Sequence, residues 1–210
     1  NGYVGNIQYA VMIKRAVNDE NDGNSLTESD DHPTAFTSLP LTNPRVYNVT
    51  AIRESGPAGN YGGVLRRGSA GKVYNAIVQE TKLAPYTIRD DATFANAGSG
   101  ELIVDNSILF GDFSDAKFTN SADRGAQTRT FLFTTMKNNR NVNPLLAIGT
   151  TTLTKTLMPD VSPLAGSPAL DADFVAQPPD NGFFDRVDFL GGVAPGNNWV
   201  LSGWANFSDN

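Results

Sequence analysis

The sequence predicts an all-β protein, a parallel β-helix in which short strands stack coil upon coil. Three observations carry this reading. A strand motif recurs three times, turn-forming residues are spread over the whole length, and no window shows sustained helical periodicity. The motif reads apolar, any residue, Asn, small, then an aliphatic or β-branched pair. It occurs as VYNVTAI at 46–52, VYNAIV at 73–78 and VDNSIL at 104–109, so that Asn48, Asn75 and Asn106 lie 27 and 31 positions apart. Ile7-Gln8-Tyr9-Ala10-Val11 reads as a fourth copy with Gln8 in the amide position. Periods of this length mark solenoids, whose units bury their apolar faces only by stacking. About four coils are expected, right-handed by the usual preference of parallel crossovers.

Within this frame the three asparagines are expected to form a structural ladder, each amide passing a hydrogen bond to the next. Residues 61–68, 70–72, 86–90 and 101–104 supply further short strands. The best helical stretch, Ala122 to Met136, is broken by Gly125 and rich in Thr and Phe, and reads as readily as loop plus strand. Residues 1–158 thus form the coils, interrupted at 18–43 by an acidic loop insertion. From Pro159 onward six prolines forbid regular ladder pairing, while Phe183, Phe184, Phe189, Trp199, Trp204 and Phe207 accumulate. Residues 159–210 therefore read as an irregular aromatic- and Pro-rich cap, suited to packing over an open end of the solenoid.

The chain has 210 residues, 16 Lys plus Arg and 22 Asp plus Glu, for a net charge of −6. No basic cluster exceeds Arg66-Arg67, which argues against nucleic acid as a partner. No run approaches the ~18 apolar residues of a membrane span. Cysteine is absent, which excludes disulfides and thiolate metal sites. A start at Asn1 without a signal-like segment reads as a processed or excised product.

Few residues suggest chemistry. The lone histidine, His32, cannot build a multi-histidine metal site, and no G-x-S-x-G elbow accompanies it. The acidic loop offers Asp19, Asp22, Glu28, Asp30 and Asp31 as oxygen ligands for Ca²⁺. Its spacing fails the EF-hand pattern, because Gly23 at the sixth position puts Ser29 at the twelfth. Arg66 and Arg67 could meet a carboxylate-bearing sugar, and Trp199 and Trp204 could stack on sugar rings. Asp90-Asp91 and Asp112/Asp115 sit where turns are expected. No pair of carboxylates converges in the way a glycosidase needs, so no catalytic residue is legible. Asn206-Phe207-Ser208 is an acceptor pattern for glycosylation at Asn206.

The segments VYNVTAI and GGVLRRGSAGKVYNAIV, with the tail SPALDADFVAQPPDNGFFDRVDFLGGVAPGNNWVLSGWANF, resemble the C-terminal part of bacterial secreted β-helix surface proteins. The likeness implies the right-handed β-helix fold and an extracellular or cell-surface location, and carries no reaction with it. Such proteins have more coils before this point. An exposed first strand is a template for pairing, so the expected function is a non-catalytic structural module that self-associates through its ends or adheres. The alternative is a polysaccharide-binding or polysaccharide-degrading β-helix with its site along one sheet face.

Overall fold

A computed structural model describes residues 2–14, 25–53, 61–81, 84–111, 124–148 and 159–203. The described strands are β1 (Asn6–Lys14), β2 (Ser25–Asp30), β3 (Arg45–Arg53), β4 (Tyr61–Arg66), β5 (Gly71–Tyr74), β6 (Ile77–Thr81), β7 (Ala84–Ile88), β8 (Leu102–Asp105) and β9 (Ile108–Gly111). Two helices interrupt them, α1 (Asp91–Ser99) and α2 (Gly125–Thr130), the second running on into a π-helical turn at Phe131–Thr135. Every ladder between named strands is parallel. The larger sheet stacks β1 on β3, then β3 on both β5 and β6, and these on β8 and β9. The smaller sheet runs β2-β4-β7.

The motif asparagine makes the bend that turns one long strand into two short ones. Asn48, Asn75 and Asn106 all have positive φ, 52°, 55° and 47°. This left-handed region is disfavoured for most residues and best tolerated, after glycine, by Asn and Asp. The bend shifts the in–out alternation by one residue. Before it, Ile7, Val46, Val73 and Val104 align in register and point inward. After it, Met12, Ala51, Val78 and Leu109 do so. These inward columns meet Tyr61, Val64, Leu65, Tyr86 and Ile88 of the smaller sheet in one buried core.

A second core lies outside the larger sheet. Beyond the bend its outward columns are Val11, Thr50, Ile77, Ile108 and Ile13, Ile52, Gln79, Phe110. Residues 159–200 cover them, with Val161, Phe174, Val175, Leu190, Val193 and Val200 packed against Ile52, Ile77 and Ile108. Among the described residues the tail has no named strand, and it docks through the bend asparagines instead. Asn106 Nδ2 donates to the Phe174 carbonyl (2.9 Å), and Asn48 Nδ2 to that of Phe189 (2.8 Å). Asn75 binds Ala176 twice, through its carbonyl (2.8 Å) and its N–H (2.9 Å). Close approach needs glycine at one point: a Cβ on Gly192 would lie 2.3 Å from the Ala10 carbonyl oxygen.

Several expectations are corrected. The bend asparagines do not pass hydrogen bonds to one another; they are spent on the tail, because positive φ aims each side chain out of the ladder. The amide position of the first copy belongs to Tyr9 and not Gln8, since Gln8 pairs with Tyr47 and Ala10 with Val49. Gln8 does reach Asn48 Oδ1 (3.3 Å) and brackets Asp185. The tail clads a flank, whereas Phe131 and Leu132 of the helical segment 125–135 enter the inner core beside Leu109. That segment is helix and not loop plus strand: Thr128 turns its hydroxyl to the Ile88 N–H, and Phe131 and Leu132 are buried together. The region 18–43 is more than a loop, since β2 within it pairs with β4. Helix α1 escaped the periodicity test because it buries only Thr93 and Ala97; Asp90 caps its start and Gly100 its end.

The bend is open to measurement. Asn75→Gly keeps the backbone relaxed and loses the two tail bonds, for a destabilisation of about 2 kcal/mol. Asn75→Ala adds the left-handed penalty and should reach about 3–4 kcal/mol. Chemical denaturation should rank wild type above Asn75→Gly, and Asn75→Gly above Asn75→Ala. Equal midpoints for the two variants would remove the backbone share of this account.

Candidate functional site: the polar half of the larger sheet's outer face

Ahead of the bend, the outward columns of the larger sheet are Asn6, Arg45, Lys72, Ile103 and Gln8, Tyr47, Tyr74, Asp105. The tail reaches only part of this half. Phe184 packs on Tyr47 with ring centroids 4.9 Å apart, and Phe183 meets Phe184 edge-on while remaining 53% exposed. Tyr47 stacks on Tyr74 at 5.2 Å and 25°. Arg45 is exposed in the next column, and Lys72 is its register partner one strand along. The result is two neighbouring cations beside a file of stacked aromatic rings.

Carboxylates at the margin are already engaged. Glu101 accepts from Asn43 Nδ2 (3.2 Å) and lies 3.7 Å from Lys72 Nζ. Asp105 accepts from the Asn138 N–H (3.0 Å) and its side-chain amide (3.1 Å). This face can therefore hold a ligand by charge and ring stacking, and its two carboxylates serve as acceptors for neighbouring groups. Burial raises the Tyr47 and Tyr74 phenols above their ordinary value; the charge of Tyr74 adds to the rise at Tyr47 while that of Arg45 opposes it, and the charge of Asp105 adds to the rise at Tyr74.

The residues singled out in the sequence fall elsewhere. Arg66 and Arg67 meet the acidic residues expected to hold calcium. Arg66 binds Asp30 (Nε–Oδ1 2.6 Å) and Glu28 (2.8 Å), and Arg67 binds Asp30 (2.8 Å). The cause is register, since Asp30 pairs directly with Arg66 across β2 and β4. The hydrogen bond to Asp30 raises the Arg66 pKa further. Asp31 is buried and accepts from the Thr42 N–H (3.0 Å) and hydroxyl (3.4 Å). Glu28 and Asp30 of the one expected site and Arg66 and Arg67 of the other thus form one ion-paired cluster, and among the described residues no group of His, Cys, Asp and Glu is placed to hold a metal ion. Asp19, Asp22, Trp204 and Asn206 lie outside the described residues. His32 accepts from the Thr34 and Ala35 N–H groups in a turn.

Trp199 is half-buried against the outer core, its indole N–H donating to the Gly192 carbonyl (2.7 Å). It also lines a cavity of about 310 Å³ with Tyr9, Phe189 and Asn197. Sequence reasoning missed Arg45, Lys72 and Tyr74. The signal was present in the repeat, because R-V-Y at 45–47 and K-V-Y at 72–74 place a cation and a tyrosine two residues apart on one face.

Burial pushes the Tyr86 phenol up to about 12; burial and then Asp185 do the same for Tyr9. Both folded values exceed the ordinary 10.0, so between them the folded chain keeps protons that the unfolded chain releases. Stability is full below pH 10 and falls as pH rises toward 12. Tyrosinate absorbance should still be rising above pH 11, and Tyr86→Phe should flatten the alkaline loss of stability. Complete titration of the described tyrosines near pH 10 would contradict this.

Among the described residues no helix is long and apolar enough to cross a membrane. No curated protein and no solved structure matches the chain. A family model does match, described as a pectate-lyase like beta helix domain, over residues 1–154. That span holds every described strand of both sheets and stops before the described tail, so the parallel β architecture and the comparison agree: this chain belongs to the pectate-lyase-like β-helix domain family.

Proposed function

We propose that this chain is a carbohydrate-binding β-helix of about four right-handed coils, exported to the cell surface or beyond, that holds an acidic polysaccharide along the polar half of its larger sheet. The observation that carries the reading is the repeated cation–tyrosine pair. Arg45 with Tyr47 and Lys72 with Tyr74 occupy matching positions on adjacent strands. Strands lie about 4.8 Å apart, so a ligand running along the stack meets the two cations at successive steps, with half-buried Tyr74 and exposed Phe183 beside them. Arginine and lysine suit the carboxylates of uronic acids, and aromatic faces suit the apolar faces of the sugar rings. Membership in a pectate-lyase-like family is compatible with a polysaccharide ligand.

The reading is of binding, because Glu101 and Asp105 are tied to neighbouring side chains and backbone. Assembly through the strand ends draws no support from the family match. On the polar face the placement of cations favours a ligand over a structural contact.

The test is retention on polygalacturonate compared with a neutral polysaccharide. Wild type should bind the acidic polymer in low salt and release it as salt rises. Each lost charge-assisted hydrogen bond is worth about 1.5 kcal/mol or more, so Arg45→Ala with Lys72→Ala should weaken binding at least about tenfold without lowering the unfolding midpoint. Equal retention of the double variant and wild type would refute the site.

A further inference from the structure

Every bend described above carries asparagine except the first, where Tyr9 takes the left-handed conformation at φ 60. For an aromatic residue that backbone is an outlier, and such strain survives where the surroundings demand that particular side chain. The asparagines use their amides to fasten the tail. Tyr9 instead sends its ring to the wall of the 310 Å³ cavity left between β1 and the tail. Trp199, Asn197, Phe189 and Gly192 of the tail line the same cavity.

We propose that this cavity is a binding pocket for a single uncharged pyranose ring, held between Tyr9 and Trp199 and separate from the acidic-polymer face. At about 310 Å³ it stands at the small end of ligand sites, which run from roughly 300 to 1,000 Å³, and suits one ring better than a chain. Its walls have the chemistry of a sugar: aromatic faces for the C–H side of the ring, and the Asn197 amide and Tyr9 hydroxyl for its hydroxyl groups. The pocket is pre-organised. The indole N–H is fixed by Gly192 (2.7 Å), and the turn that carries Trp199 is fixed by Asn198, which accepts from the Val200 N–H (3.0 Å) and donates to Asp160 (2.7 Å). The Tyr9 phenol, raised to about 12 by burial and by Asp185, to which it hydrogen-bonds, keeps its proton throughout the physiological range and offers its oxygen as an acceptor. Except for Tyr9, every lining residue lies in the tail, beyond the residues 1–154 that match the family. The pocket is thus built by what this chain has in addition to the family's β-helix.

The experiment follows the indole N–H resonance of Trp199 while methyl glucoside, methyl galactoside, methyl mannoside or tetramethylammonium is added to the whole chain. A saturable shift with at least one pyranoside, unchanged by 0.5 M salt (on the order of a 4–5 Å screening length), is expected. Tyr9→Asn installs the residue used at the other bends. It should fold at least as stably as wild type and lose at least tenfold in affinity. Asn197→Ala, at an exposed position, should weaken binding severalfold with the unfolding midpoint unchanged. Arg45→Ala with Lys72→Ala should leave the pyranoside shift intact, which keeps this site's fate distinct from that of the acidic-polymer face. No saturable shift with any pyranoside, a response to tetramethylammonium alone, or wild-type affinity in both Tyr9→Asn and Asn197→Ala would overturn the proposal.

Discussion

The fold depends on an asparagine held in the left-handed region, with its amide facing away from the strand ladder. Asn75 shows the constraint at its fullest: φ is 55°, the residue is fully buried, and both polar atoms of the side chain bind Ala176. The backbone needs a residue that tolerates the bend, and the tail needs one that can replace the hydrogen bonds a strand would supply. Glycine meets the first need and glutamine the second. Asparagine meets both, because its short amide reaches back beside its own backbone.

That bend divides the outer face of the larger sheet. Past it, the columns led by Val11 and Ile13 are mostly aliphatic and lie under the tail. Ahead of it, the columns led by Asn6 and Gln8 carry charge and aromatic rings, and the tail meets them through Phe184 and Asp185. A Pro-rich segment can serve as cladding because its polar backbone atoms are met by side chains and turns and need no ladder. The protein therefore has a core on each side of one sheet. The inner one joins the two sheets, and the outer one joins sheet to tail.

The charged residues show how partners decide roles. Arg66 and Arg67 are adjacent cations in the sequence, yet register sets Asp30 directly opposite Arg66, and with Glu28 it neutralises the pair. Arg45 and Lys72 stand alone in sequence and are register partners on the face, with Glu101 3.7 Å from Lys72. A sugar carboxylate approaching the first cluster would have to displace two carboxylates from their arginines. At the second it meets an exposed guanidinium.

The strand repeat was legible because coils that stack must present the same apolar pattern at each turn, and periodicity records that directly. VYNVTAI, VYNAIV and VDNSIL became β3, β5 with β6, and β8 with β9. The cation–tyrosine spacing of the polar face was in the same motif. What tertiary structure alone decided was the partner of each side chain. The bend asparagines look identical whether they ladder with one another or fasten a distant segment; Phe174 to Phe189 became their partners only because positive φ turns the amides out of the sheet. The pairing of Glu28 and Asp30 with Arg66 rests on the register of β2 with β4, which local pattern leaves open across an interval of more than thirty residues. Local chemistry determines which residues form a strand or a bend, whereas contacts between segments far apart in the chain are set by packing, which no local pattern encodes.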